Sequence, residues 1–250
     1  MIFIGIDSGS TTTKGVSMEG DTIINKIIMS TGFNPKQTIE EVYNILKEQH
    51  ENVYATTTGY GRGLLSQSDK SLTEITCHAR GAAYLCSQAK VIVDIGGQDS
   101  KVIAMDDQFN VSDFLMNDKC AAGTGRFIEL IMRILQKDLV ELDYFIKDET
   151  PVPINSMCAV FAESEVIGLL GKGESPQAVA MGVIDSICRR TANFSHRVKI
   201  DGPVFFSGGL AQSKVIRKTL EKHLGVPIYT DQMSQYTGAI GAALMGRVKK

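Results

Sequence analysis

The chain has 250 residues, 43% of them hydrophobic and 22% charged, with 26 Lys and Arg against 28 Asp and Glu for a formal net charge of −2. That near-balance excludes the broad basic surface that nucleic-acid or acidic-membrane binding requires, so neither is expected as a partner. A chain this long buries about three quarters of the surface its unfolded form exposes, and its core needs no disulfide staples.

Residues 2–6 form an apolar run that reaches Asp7 with no basic segment or small-residue cleavage site, which reads as a first strand rather than a signal peptide. The longest weakly polar stretches, 166–170 and 239–245, fall short of the ~20 residues of a membrane span, so a cytoplasmic protein is expected. The five cysteines, Cys77, Cys86, Cys120, Cys158 and Cys188, are scattered and contain no CxxC, which fits reduced thiols in that compartment.

A quasi-repeat organises the chain. Residues 4–14, IGIDSGSTTTK, are echoed by residues 91–101, VIVDIGGQDSK: an apolar run, an Asp, a turn of Gly with hydroxyl or amide residues, then Lys. Each copy predicts a strand running into a tight turn. Residues 15–18 and 21–28 predict two further strands around a Gly20-Asp21 turn, and 101–105 with 109–114 repeat that layout. Helical periodicity follows over 35–50, 127–135 and 177–198, with short strands at 52–57, 204–207 and 227–229. The alternation indicates an α/β protein of two similar lobes with mixed sheets. The expected boundaries are 1–90 plus 231–250 for the first lobe and 91–230 for the second.

A Gly/Ser/Thr turn after a buried strand aims backbone N–H groups and hydroxyls at one anion. Two such turns facing each other would clamp a polyphosphate, Ser10, Thr11 and Thr12 with Gly9 and Lys14 on one side and Gly96 and Gly97 on the other. Asp7 and Asp94, at the strand ends, would hold Mg²⁺ through its water shell. Val204 to Ala211 is a strand ending in Gly208-Gly209-Leu210, where bare backbone suits a flat purine, and the Gly and Ala residues of 235–243 suit close helix packing at a hinge. No Gx₄GK[ST] and no strand-linked GxGxxG occurs, which excludes P-loop and Rossmann sites.

In this order the elements resemble the actin, Hsp70 and sugar-kinase superfamily of ATPases. The resemblance implies two RNase H-like lobes with an ATP cleft between them, binding ATP/ADP and Mg²⁺ and closing around ATP. The superfamily includes kinases, so fold alone does not choose the reaction.

The cysteines choose. Cys120 and Cys158 each stand just before a helix, where the partial positive charge of the N-terminus favours a thiolate and lowers its pKa. Two thiolates cannot complete a four-thiolate site, but a two-fold dimer supplies four, which suits one [4Fe–4S] cluster on the axis. The strings NDKCAAGTGRF at 117–127 and CAVFAESEV at 158–166, with DIGGQD at 94–99, resemble those of the activator ATPases of (R)-2-hydroxyacyl-CoA dehydratases, or archerases, within the BadF/BadG/BcrA/BcrD ATPase family that also holds benzoyl-CoA reductase subunits. Met157 and Thr237 are small departures.

The resemblance implies a homodimer in which Cys120 and Cys158 ligate the cluster, an electron donor such as ferredoxin or flavodoxin, and a partner iron–sulfur dehydratase or reductase. Gln98 is assigned to orienting the attacking water. Cys77, Cys86 and Cys188 match no ligand motif and read as structural thiols. Two alternatives remain: a small-molecule kinase using Asp99 or Glu163 as base, and a nucleotide-binding regulator without turnover.

Overall fold

The computed structural model describes residues 1–48, 50–147, 149–156 and 158–247. The first repeat forms β1 (Ile2–Ser8), β2 (Thr12–Glu19) and β3 (Thr22–Ser30), an antiparallel meander. Helix α1 (Pro35–Lys47) then returns the chain to β4 (Val53–Thr58), parallel to β1, and β5 (Lys70–Ser71) completes the order β3-β2-β1-β4-β5. Asn34 starts α1 by accepting the Gln37 N–H, and Pro35 occupies the first turn, where a missing N–H costs nothing.

The second repeat retraces this path. β6 (Val91–Ile95), β7 (Ser100–Met105) and β8 (Val111–Asn117) form its meander, and β9 (Val204–Ser207) and β10 (Ile228–Tyr229) add the parallel strands in the order β10-β9-β6-β7-β8. Between β8 and β9 lie α3 (Gly125–Ile134), α4 (Leu142–Ile146), α5 (Ala159–Gly171) and α6 (Pro176–Ser195), and α7 (Lys214–Leu224) precedes β10. Thus both sheets are mixed, and the strands expected from the repeat are present with ends shifted by a few residues.

Alternation along β1 shows how the layers form. Ile2, Ile4 and Ile6 pack on Ile39, Val42, Tyr43 and Leu46 of α1, while Phe3 faces the opposite layer. That layer is α8 (Thr237–Gly246), which follows β10 yet lies on the first sheet with Val16 and Met18. Conversely α2 (Glu74–Leu85), which follows β5, packs Ala79 and Ala82 on Ile92, Ile103 and Phe205 of the second sheet. The terminal helix of each repeat therefore crosses to the other sheet. The two cross each other at glycines: a Cβ on Gly81 would meet the Thr237 carbonyl at 1.9 Å, and one on Gly241 the Cys77 carbonyl at 1.7 Å. The sequence pattern marks α8 as a helix but does not mark α2. Among the described residues, no helix is long and apolar enough to cross a membrane.

Candidate active site

Between the sheets lies a cleft open to solvent at its mouth. Asp7, Gly9, Ser10, Thr11, Thr12 and Lys14 line it from the first repeat, and Asp94, Gly96, Gly97, Gly208, Gly209 and Leu210 from the second. The two turns are built alike: Gly9 N–H donates to the Thr12 carbonyl at 3.1 Å and Gly96 N–H to the Asp99 carbonyl at 2.9 Å. They touch across the cleft, since a Cβ on Gly97 would lie 2.0 Å from Thr11 Oγ1. Gly208 holds a φ of +95°, a conformation natural to glycine, and its bare Cα lies against the Ile95 carbonyl.

Register extends the repeat to charged residues. Asp7 pairs with Lys14 across β1 and β2, and Asp94 with Lys101 across β6 and β7. The environments then diverge. Lys101 is 1% exposed, with Nζ 2.8 Å from Glu74 Oε1, 3.2 Å from Asp94 Oδ2 and 3.0 Å from Asp99 Oδ2, the last without hydrogen-bond geometry. Asp94 Oδ1 accepts from Ser207 Oγ at 2.5 Å and lies 3.5 Å from His78 Nε2. Burial pushes the Asp94 carboxyl up, but Lys101, His78 and Ser207 outweigh it and hold it well below the usual carboxylate range. Burial pulls the Lys101 ammonium down, and the three carboxylates outweigh that to hold it well above its ordinary value. Burial likewise opposes a charged His78, yet Asp94 and Glu74 bring it up to about 9.

Asp7 is different. It is buried, and its Oδ1 has no hydrogen-bond partner in the protein. An orphaned buried carboxylate oxygen at the edge of a phosphate-sized turn fits the water shell of Mg²⁺, whereas both Asp94 oxygens are already engaged by protein groups.

The sequence alone assigns no role to Lys101, Glu74 or His78. For Lys101 the repeat itself carried the signal, as the counterpart of Lys14. Glu74 and His78 stand four apart on α2, facing the cleft together. Gln98 sits at the tip of the turn closed by Gly96 and Asp99 and is exposed, while Asp99 lines the cleft.

Cys120 and Cys158 are both exposed. Cys158 caps α5 directly. Cys120 instead precedes a short 3₁₀ turn (Ala121–Gly123), after which Thr124 is extended and α3 begins. The reason for that delay is the phosphate turn: Gly125 N–H donates to the Gly96 carbonyl at 2.9 Å and Arg126 N–H to the Gly97 carbonyl at 3.0 Å, so the helix starts where those acceptors stand. Ala121 and Ala159 line one shallow hollow with Arg126, Phe127, Leu130 and Arg133, which brings the two cysteine-bearing helix starts to one surface. Neither cysteine side chain makes a capping hydrogen bond, and a thiolate donor at each helix start suits a soft metal centre. Cys77 and Cys188 are buried, which pushes the Cys77 thiol up to about 12 and Cys188 further, as structural thiols require. Met157 lies outside the described residues, and Thr237 Oγ1 donates to the Ser234 carbonyl at 2.7 Å, closing the turn before α8.

Known proteins share this arrangement. The chain is 47% identical over 245 residues to the uncharacterized protein YjiL of Escherichia coli, covering 98% of this chain and 96% of that one. It is 40% identical over 250 residues to the (R)-2-hydroxyglutaryl-CoA dehydratase activating ATPase of Acidaminococcus fermentans, covering 96% and 95%. The solved activator of the 2-hydroxyisocaproyl-CoA dehydratase from Clostridium difficile, with bound ADPNP, superposes with a TM-score of 0.92 at 36% identity over 98% of this chain and 94% of that one. The model of the BadF/BadG/BcrA/BcrD ATPase family matches residues 4–246. With both repeats, the cleft between them and both cysteine segments inside that match, the chain belongs to the BadF/BadG/BcrA/BcrD ATPase family and carries its actin-like fold.

Proposed function

We propose that this ATPase works as a homodimer that couples ATP hydrolysis to passing one low-potential electron from ferredoxin or flavodoxin to a partner iron–sulfur enzyme, a 2-hydroxyacyl-CoA dehydratase or a related reductase. The observation that carries the reading is the pair of backbone bonds from Gly125 and Arg126 to Gly96 and Gly97, because they hang the helix behind Cys120 on a phosphate turn. In this reading Cys120 and Cys158 of two copies supply the four thiolates of a [4Fe–4S] cluster, which accepts and releases one electron when bound.

The lobes divide as 1–90 plus 231–250 and 91–230, with the crossed α2 and α8 at their junction. Ser10 to Thr12 and Lys14 bind phosphate from one lobe and Gly96 and Gly97 from the other, and Gly208 to Leu210 take the adenosine. Asp7 Oδ1 holds the water shell of Mg²⁺, and Asp94 fixes Lys101 at the floor of the cleft. The γ-phosphate alone reaches both turns, so ATP favours closure more than ADP does, and the Gly96 and Gly97 carbonyls carry that movement to the start of α3. For a kinase, Glu163 does not line the cleft and Asp99 stands beside Lys101, so neither is a free base.

The test is anaerobic purification followed by comparison of apo, ADP and non-hydrolysable-analogue states. The analogue is expected to change the EPR signal of the reduced protein and its rate of iron loss to chelators, and ADP to do so less. Identical spectra and rates at saturating nucleotide would refute the coupling, and absence of iron would refute the reading.

A further inference from the structure

Two residues in the cysteine-bearing strings have no part in the function so far. Asn117 is the last residue of β8, paired with Ser100, and so it stands beside the first residue of β7, the strand that leaves the second phosphate turn. Its Oδ1 accepts from the Cys120 N–H at 3.2 Å and its Nδ2 donates to the Cys120 carbonyl at 3.1 Å. One amide therefore holds both polar groups of the cysteine backbone. Only a side chain carrying a donor and an acceptor side by side can do so; Asp would present a second acceptor to the carbonyl, and Ser is too short for both.

Glu165 does the corresponding work for Cys158. From the second turn of α5 its carboxylate reaches back over the helix start, accepting from Asn155 N–H at 3.0 and 3.2 Å, from Asn155 Nδ2 at 3.3 Å and from Ser156 N–H at 2.8 Å. Arg190 on α6 donates to the Ser156 carbonyl at 2.5 Å, so Ser156 is gripped on both sides two residues before the cysteine. Burial raises the Glu165 carboxyl, and these bonds outweigh it to hold the group below its ordinary value. The Cys120 backbone is thus held directly by a side chain, and for Cys158 the held backbone is that of Asn155 and Ser156, the latter two residues ahead of it.

We propose that Asn117 and Glu165 are positioning residues for the two cysteines, fixing the direction in which each thiol leaves the surface so that four of them converge in the dimer. This rests on the cluster reading above. Ligand geometry is commonly set by groups behind the ligands, whose loss costs about 10- to 100-fold in metal affinity. A plain capping role would lower stability without selecting for iron.

The experiment uses full-length, anaerobically purified protein and measures iron per dimer, the rate of iron loss to a chelator and the EPR spectrum of the reduced state. Asn117→Ala and Glu165→Ala are expected to lose iron at least tenfold faster than the parent and to shift the EPR signal. Glu165→Gln, which keeps an acceptor for the Ser156 N–H, is expected to recover most of the loss, and Asn117→Asp, which keeps only the acceptor, to fall between. These two milder variants decide the matter if an alanine variant fails to fold by circular dichroism. Parent-like iron loss and EPR in the alanine variants would overturn the proposal and leave the cluster reading standing. Parent protein whose iron does not depend on Cys120 and Cys158 would overturn the cluster reading first, and this proposal with it.

Discussion

Replacing Lys101 by Met would test the electrostatic floor of the cleft most directly. The ammonium is 1% exposed and lies within 3.2 Å of three carboxylates, those of Glu74, Asp94 and Asp99. Met preserves much of the stem but removes the charge, leaving His78 beside Asp94 as the nearest remaining cation. Breaking a buried ion pair by removing one partner costs about 3–5 kcal/mol, because the other charge stays buried without compensation. For a chain of this length each kcal/mol lowers the melting temperature by about 2–4 °C, so a drop of about 6–20 °C at pH 7 is expected. The pH dependence carries a definite sign. In the parent protein the Asp94 pKa is held below its unfolded value, so its contribution is present at neutral pH and is lost only as the pH falls through the folded value. Without Lys101, carboxylates crowded together in a buried site titrate above their unfolded values, and protonation relieves them on acidification. Scanning calorimetry from pH 7 to 5 should show the gap between variant and parent narrowing. A melting temperature within about 2 °C of the parent at pH 7, or a gap that widens toward pH 5, would refute the reasoning.

Asp7→Asn should lower ATP hydrolysis more than tenfold in a phosphate-release assay while the protein keeps its iron, because the orphaned Asp7 Oδ1 and the cysteine surface belong to different parts of the fold. Cys120→Ser and Cys158→Ser should each abolish the brown colour and the iron, measured by absorbance and iron assay, while Cys77→Ser, at a buried thiol, should not. Gly97→Ala should weaken ATP-analogue binding at least tenfold by calorimetry, since its Cβ would strike Thr11 at 2.0 Å and hold the turns apart, and adding Thr11→Gly should restore part of the loss. His78 has a folded pKa of about 9 against 6.5 unfolded, so its charge contributes stability fully below pH 6.5 and loses it as the pH rises through 9. Melting temperature should therefore fall across that window in the parent and less steeply in His78→Gln.

The two meanders and the turns at the ends of their first strands were legible from sequence because they are local. An apolar run, an Asp and a Gly-rich turn specify a strand end within eleven residues, and the copy at 91–101 repeats the specification. The start of α5 behind Cys158 was legible for the same reason, whereas α3 begins only at Gly125, where the second turn holds it. Helix α2 was not: Thr, Cys, His, Gly and Ala dominate it, and its narrow, small-residue face makes sense only against α8, which follows some 150 residues later. The clustering of Lys101 with Glu74, Asp94 and Asp99 likewise depends on α2 crossing to the second sheet. Gln98 shows the converse. Its residue type fits a water-orienting role, but whether a turn residue faces the cleft or solvent is set by which neighbour closes the turn, here Gly96 with Asp99. The sequence by itself thus determined the repeated strands and the Gly-rich turns at their ends. Only the tertiary structure decided which charges meet in the cleft and that α3 hangs from the second turn, because both follow from long-range packing that no local pattern encodes.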